Sequence, residues 1–558
     1  MAQTESPGIG PVVNVTDVSS IFEIRNHGLV HVSDNKTTRE AFDSDQDELT
    51  IRNSGLFDEE FYYQANADVK NAKLDPVKHY IEHGADEGRR PNRSFDTAHY
   101  AGIFQNEIAS GENPFAHYIR TDGKTVYSTR GMLEDYSYRS VYKAISRMKH
   151  LAFFGSTDYV AMNSDVTTSD LCPAQHAVLY GISEGRSVLS RKHIAKTLGK
   201  LAQQSPALSA VPSTPLLKKR DFPEKIGVFQ HSLGNIFIRE IAETLVSQLN
   251  DAGLNAILLD ETCSIQEKPQ FCIFCGPHEF FFLPGSEPWK GDDIVRNSVM
   301  FNTEQPQTLW FVRGLLYNLM SSGVIDISFQ NLEVFSGAGI PGLFFNPPVN
   351  MSSRILSPAD QSHAMVRILP PSCRKSSDPK LSFNKREIDV SFFGNHTDRR
   401  EKFFSRHAEF FADYKCFFYY RRTGGPIADS QRYGILSRLA SHVASHSKIS
   451  LNIHRENDLF FEWQRIVAQG MARGSLVVSE ECLPHPYFSA GIHYLSETTR
   501  HIPNLVEWLL HSSDGKKEAA RIRSNALTKI VNGRQAAEDQ NRLLRFISSR
   551  WKAISSDH

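Results

Sequence analysis

The sequence predicts an α/β protein in which two doubly wound parallel-sheet domains stand in tandem behind a small all-α repeat module. Three observations predict it. From Lys225 onward, short apolar runs alternate with amphipathic stretches, the pattern of a parallel sheet covered by helices. Between Phe57 and residue 188, one helical pattern recurs three times. A Ser-, Pro- and Ala-rich stretch, LAQQSPALSAVPSTPLLKK, separates the two parts. The 558 residues have room for this, at about 150 residues per domain.

Residues 1–54 are polar and irregular and read as a disordered leader, with a short strand near Leu29 to Val32. The repeat module takes residues 55–190. Its copies begin at Phe57, Phe95 and Phe154. One equivalent position holds Tyr62, Tyr100 and Tyr159, another Pro76, Pro114 and Pro173, a third His79, His117 and His176. The first and third copies also share Asn66 with Asn163, Asp68 with Asp165, Gly84 with Gly181, and Glu87-Gly88-Arg89 with Glu184-Gly185-Arg186. Each copy reads as two short helices, the second starting at Pro and closing at Gly. Three equivalent histidines raise the idea of a metal site. Each sits in a separate copy on the apolar face of its helix, so a structural histidine bonding the neighbouring loop is the stronger reading. The module is expected to bind or position something and to do no chemistry. Residues 191–222 read as a linker.

The first doubly wound domain is placed at 223–350. Its strands are IGVFQ, Asn255 to Leu259, Phe271 to Cys275, Val299 to Asn302, Val324 to Phe329 and Gly342 to Phe345. Phe237 to Asn250 and Leu309 to Met320 read as its helices. A polar connector follows at 351–386. The second domain, 387–533, opens with a strand at Ile388 to Phe393, a helix at Asp398 to Phe411, a strand at Cys416 to Tyr420 and a helix at Arg432 to Val443. A C-terminal helix occupies 534–558. The centre of this domain is KISLNIHRENDLFFEWQRIVAQGMARGSLVVSE, residues 448–480. Alternating Ile449, Leu451 and Ile453 predict a strand. Phe460, Trp463, Ile466, Val467, Gly470 and Met471 form one face of a helix from Leu459 to Arg473. Gly474 stops it, and Leu476 to Val478 is a buried strand.

Open α/β sheets bind ligands outside the carboxyl ends of their strands, and two such sheets leave a cleft between those ends. Asn452, His454 and Arg455 leave one strand end. Glu462 and Arg465 lie in the first turns of the helix that follows. A carboxylate can accept hydrogen bonds from two ribose hydroxyls, an arginine can clamp a diphosphate, and free N–H groups at a helix start can hold an anion. A solvated i,i+3 pair explains Glu462 and Arg465 equally well. In the first domain, His278 and Glu279 follow the third strand and are the candidate general bases. His231 and Glu304 also follow strand ends, and Glu304 reads as a structural or acceptor-facing group. Arg399 and Arg400 put positive charge in a helix's first turn, which is unfavourable beside the helix dipole unless an anion sits there.

The 62 basic and 63 acidic residues nearly cancel, so no global charge draws the chain to nucleic acid. No run of about 18 apolar residues exists to span a bilayer, and MAQTESPGIGPVV lacks the plan of a secretory signal. Seven scattered cysteines fit a reducing compartment. A cytoplasmic chain is expected, with peripheral association at the inner face of the membrane left open. Cys272 and Cys275 form a C-x-x-C inside an apolar strand, where side chains three apart face opposite ways, so they read as core cysteines.

Two stretches, SFFGNHTDRREKFF at 391–404 and SLNIHR…FEWQRIVAQGMARGSLVVSE at 450–480, resemble the CgeB-type (spore-coat) glycosyltransferase domain. The tandem domains resemble the GT-B fold, two Rossmann-like domains. The N-x-D-V…DP…HY…G…EGR repeats are similar to modules attached to bacterial surface-polysaccharide glycosyltransferases. The resemblance covers roughly residues 225–533 and 57–188. It implies transfer of a sugar from a nucleotide-sugar donor, held mainly by the second domain, to a glycan or glycoprotein acceptor bound by the first, without a metal or other cofactor. Carried onto this sequence, Gly394, Arg399 and Arg400 are the glycine turn and phosphate-side groups, and Asn452, His454 and Arg455 line the donor loop. Glu462 and Arg465 hold ribose and diphosphate, and Gly474 and Ser475 shape the nucleotide pocket. One departure stands out. The common retaining pattern has two glutamates seven residues apart, whereas Gln469 follows Glu462 at that spacing and Arg455 precedes it. That absence keeps a non-catalytic glycan- or partner-binding protein on a degenerate scaffold as the alternative, ahead of a two-domain epimerase.

Overall fold

The computed structural model describes residues 44–92, 95, 97–103, 108–121, 136–169, 171–208, 218–349, 356, 359–375, 377–421, 435–531 and 533–556. The strand expected near Leu29 to Val32 lies outside them. The leader ends earlier than expected, because Ser44–Ser54 is an α-helix. Its polar composition hides buried contacts: Ile51 is buried, and Asp47 accepts the Asn113 N–H and pairs with Arg120, each at 2.7 Å.

Every described helix or strand between Ser44 and Ala202 is helical. In each repeat copy the histidine contacts the tyrosine seventeen residues before it, and in the first and third copies that tyrosine, not a neighbouring loop, is its hydrogen-bond partner among the described residues. The Tyr62–His79, Tyr100–His117 and Tyr159–His176 hydroxyl–Nδ1 distances are 3.0, 2.7 and 2.9 Å. In the first and third copies the second helix widens into a π turn, Tyr80–Gly84 and Ala177–Gly181. A Cβ on Gly84 or Gly181 would strike the hydroxyl of Tyr62 or Tyr159. The chain turns afterwards at Gly88 and Gly185, whose φ values are +69° and +68°. Arg89 and Arg186 close each copy onto Asp68 and Asp165 at 2.8 and 2.6 Å.

The linker reading fails at its start. Arg191–Ala202 is an α-helix capped by Ser190, with Ile194 and Leu198 buried. The module is also docked rather than tethered. Its helix Tyr138–His150, which sequence periodicity had not singled out, lies against helix Leu309–Met320 of the first sheet domain. Arg147, 7% exposed, donates to the Leu319 and Ser321 carbonyls at the end of that helix, at 2.6 and 2.8 Å.

The first sheet comprises β1 (Ile226–Phe229), β2 (Ala256–Leu259), β3 (Phe271–Cys275), β4 (Val299–Asn302), β5 (Gly323–Asp326) and β6 (Gly342–Phe344). All are parallel, in the order β2-β1-β3-β4-β5-β6. Cys272 and Cys275 point into different cores on the two faces of β3, as strand alternation requires. The second sheet comprises β7 (Ile388–Asn395), β8 (Cys416–Arg421), β9 (Ser447–Asn452), β10 (Leu476–Ser479) and β11 (Leu495–Ser496). It is parallel in the order β11-β10-β9-β7-β8. Strand order reverses between β1 and β3 and between β7 and β9, which opens a crevice at the carboxyl ends there. The last helix, Gly533–Ser556, crosses back to the first domain, where Leu543, Phe546, Ile547 and Ile554 join the core under β1 and β3.

The helix expected from Leu459 to Arg473 differs. Phe460 to Glu462 are not helical; a π-helical segment Gln464–Gly470 follows and tightens into a 3-10 turn, Met471–Arg473. The segment packs closely against the sheet. A Cβ on Gly470 would strike Val477 of β10, and Ile466, Val467 and Met471 are buried. Glu462 therefore sits on irregular backbone and Arg465 at the start of the π-helical segment, not together in an ordinary first turn.

Candidate active site

The carboxyl ends of the two sheets enclose a cavity of about 320 Å³. The first domain lends Asn235, which caps helix Ile236–Asp251, and the loop after β4 with Glu304 and Gln305. The second lends Gly394 and Asn395 at the end of β7, then Arg400, Arg455, Glu462 and Arg465. Gln469, at the place of the missing glutamate, also lines it.

Arg400 is 1% exposed, and its guanidinium donates to the Ile453 and Asn395 carbonyls at 3.0 and 2.9 Å. Its buried Nη2 has no hydrogen-bond partner among the described residues. Burial, then the nearby Arg465, pushes its pKa down to about 9, so it stays cationic at neutral pH. Glu462 accepts from Arg465 at 2.8 Å and, across the cleft, from Gln305 Nε2 at 3.0 Å. Burial acts to raise its pKa, but Arg465, Arg400 and His454 outweigh it and hold the carboxyl below its ordinary value. Arg465 is aimed by Asn452, whose Oδ1 accepts its Nε at 2.9 Å, while the Asn452 amide donates to Ser479 at 2.9 Å.

Several expected site residues are elsewhere. Arg399 forks onto Glu480 and donates to Asn457 at 2.7 Å, so the anion its helix start calls for is a carboxylate of this chain at the end of β10. His454 is buried; its Nε2 meets the Glu481 carbonyl at 2.8 Å and its backbone N–H donates to Glu480 at 2.6 Å. Gly474, at φ +71°, gives its carbonyl to Arg523, and a Cβ there would strike the Pro379 carbonyl. Ser475 bonds Ser450 at 2.7 Å inside the sheet domain. These four hold the loop or the domain and do not line the cleft.

The candidate bases are corrected too. Glu279 accepts the Asn235 N–H at 2.7 Å and is taken up there, its pKa raised by burial. His278 is 2% exposed and lies behind the cleft wall, its pKa pushed down to about 3 by burial and then by Arg313. The carboxylate that reaches the cleft is Glu304, its side chain 27% exposed. Burial, then Glu279 and Glu462, outweighs the Thr308 hydroxyl and raises its pKa to about 7. Its backbone is clamped. The amides of Asn302 and Asn331 both donate to its carbonyl at 3.1 Å. Asn302 also donates at 2.7 Å to Asp326, whose burial raises its own pKa to about 8. Position after an apolar strand, in FNTEQ, was the signal for Glu304; nothing local separates it from His278 or His231.

Among the described residues no group of three or more His, Cys, Asp or Glu side chains is placed to hold a metal ion, and no helix is long and apolar enough to cross a membrane.

No family model and no curated protein matches the chain. Among solved structures, Anabaena HepE in complex with UDP-glucose is 12% identical at a TM-score of 0.35, covering 60% of this chain and 99% of that one. An alpha-glucosyltransferase in complex with UDP and a 13-mer DNA is 9% identical at 0.37, covering 58% and 99%. A glycosyltransferase from Rickettsia africae ESF-5 is 12% identical at 0.33, covering 59% and 98%. Scores this low carry no weight for function, which rests on the geometry of this chain.

Proposed function

We propose that the chain is a glycosyltransferase that moves a sugar from a nucleotide-sugar donor to a glycan or glycoprotein acceptor, in the making of a bacterial surface polysaccharide. One observation carries the reading: a carboxyl with a pKa near 7 on one wall of the cleft faces three arginines and an ionised carboxylate on the other. That is the division of labour the reaction needs. Glu304 takes the proton of the acceptor hydroxyl. The hydroxyl oxygen bonds to the anomeric carbon, the bond from that carbon to the diphosphate oxygen breaks, and the electron pair leaves with the diphosphate. Arg400, through its unpartnered Nη2, together with Arg455 and Arg465, neutralises that charge. Glu462 receives the ribose hydroxyls, which take the place of Gln305.

The full chain is screened by thermal shift against nucleoside diphosphates and nucleotide sugars. A ligand at a hundredfold excess over its Kd stabilises the folded state by about 2.7 kcal/mol. One nucleotide family is expected to raise Tm, and Glu462→Ala to abolish that rise while still folding. No shift with any of them, or an unchanged shift in Glu462→Ala, overturns the donor site. Binding without turnover favours the non-catalytic alternative.

A further inference from the structure

The mechanism above leaves His278 unused, yet it is one of the most constrained polar groups in the first domain. It stands on the short helix Pro277–Phe280, directly after β3. Helix Leu309–Met320 closes over it at Gly314, where a Cβ would come within 3.3 Å of the His278 backbone nitrogen. This approach brings the Trp310 ring to 6.2 Å from the imidazole and leaves the histidine 2% exposed. Its Nδ1 is buried with no hydrogen-bond partner among the described residues. Among the described residues its Nε2 faces the Glu304 carboxylate, with Oε1 3.6 Å away.

A buried imidazole with one unpartnered nitrogen and one nitrogen aimed at a carboxylate has a definite consequence. A neutral ring carries a single N–H. Placed on Nε2, that proton points at Glu304; placed on Nδ1, it is stranded and Nε2 turns a lone pair toward an anion. The separation is just beyond hydrogen-bond length, a gap that a small rotation of the Glu304 side chain closes. Such contacts tighten when substrate engages the other oxygen of the base.

We infer that His278 is a positioning residue, an Nε2–H donor that holds Glu304 Oε1 against the wall so that Oε2, which also accepts from the Thr308 hydroxyl at 3.2 Å, presents its remaining lone pair to the acceptor hydroxyl. The inference rests on Glu304 being the base. The surroundings agree with it. The charged groups acting on Glu304 are Glu279 from its own domain and Arg455 and Glu462 from the other, and His278 has Arg313 nearby as well as the Glu304 carboxylate itself. Burial, then that arginine, favours the neutral imidazole against the pull of the nearby carboxylate. It fixes direction and favours the ionised carboxylate.

His278→Gln and His278→Asn test this. Glutamine carries an amide out to the position of Nε2; asparagine ends near Nδ1, short of Glu304. Both are polar and near the histidine in size, and each variant's Tm checks its fold. Hydrolysis of a panel of UDP-, GDP-, dTDP- and CMP-sugars by the full chain supplies kcat, KM and the acid limb of the pH profile. For the sugar that turns over, His278→Gln is expected to stay within about threefold of wild type. His278→Asn is expected to lose about ten- to a hundredfold in kcat with donor KM unchanged, and its acid limb to move to higher pH as Glu304 loses its donor. Equal kcat and an unmoved limb in the two variants overturn the positioning role and leave packing alone. The base reading fails separately: Glu304→Gln turning over like wild type, or no sugar turning over with the wild-type chain, removes Glu304 as base, and the His278 inference falls with it.

Discussion

Glu304 and Glu462 are the same side chain in two environments, and the difference between them is the chemistry of the cleft. Burial acts on both. Around Glu462 it is overridden by Arg465 and Arg400; around Glu304 the charged neighbours Glu279 and Glu462 add to it. Glu462 is therefore ionised at neutral pH, whereas Glu304 sits near the midpoint of its titration. As pH rises through about 7, Glu304 loses its proton and becomes able to accept one, so turnover rises with pH over that range. Glu304→Gln is expected to lower kcat by about 10²–10⁴ and to remove that rise while leaving the nucleotide-induced Tm shift intact. A variant with wild-type kcat and the same acid limb would place the base elsewhere. Residue identity pointed to carboxylates and arginines at strand ends. It did not say that Arg399 would be consumed by Glu480, because that partner lies far along the chain and only strand order brings it near.

The repeat copy is the element whose sequence pattern turns most directly into structure. The seventeen-residue spacing of tyrosine and histidine recurs because the pair is a buried hydrogen bond joining the two short helices of each copy. Tyr159→Phe leaves the His176 Nδ1 buried without that partner, an expected loss of about 1–3 kcal/mol in denaturant unfolding; an unchanged midpoint would show that the bond contributes nothing net. His79 and His176 are both held below their ordinary pKa, by burial first and a nearby arginine second. The unfolded chain thus takes up protons more readily than the folded module. Module stability is full above about pH 6.5 and falls as pH drops below it, which Tm measured at pH 8 and pH 5 will show. In the central βαβ unit the elements were legible but the helix was not. Apolar spacing cannot distinguish an α-helix from a π-helical segment, since both bury one face, here with Gly470 close against Val477.

At the scale of the whole molecule, three parts share cores. The module's buried residues run on into those of the first sheet domain through Phe153 and Phe311, and the last helix crosses back beneath β1 and β3. Removing residues 533–558 strips Leu543, Phe546, Ile547 and Ile554 from that core. Each of these large side chains contributes about 1.5–3 kcal/mol when buried, a sum comparable with the ~5–15 kcal/mol of a typical domain. The truncated chain is expected to lose its cooperative melt by circular dichroism. A truncated chain melting like wild type would mean the helix is an appendage.

What the sequence by itself determined is local. Strand runs, helix faces and the repeat spacing depend on neighbours a few residues apart, and most of them stand in the structure close to where the pattern put them. Arg455, Glu462 and Arg465 follow from that order: the first leaves the end of a central strand and the other two open the segment behind it. The tertiary structure alone decided which of several equivalent strand-end groups meet across the cleft. His278, Glu279 and Glu304 all follow strand ends, yet helix Leu309–Met320 seals the first, Asn235 takes the second, and only the third reaches the cavity. Those outcomes depend on packing and burial between segments distant in the chain, and burial also sets the pKa on which the chemistry turns.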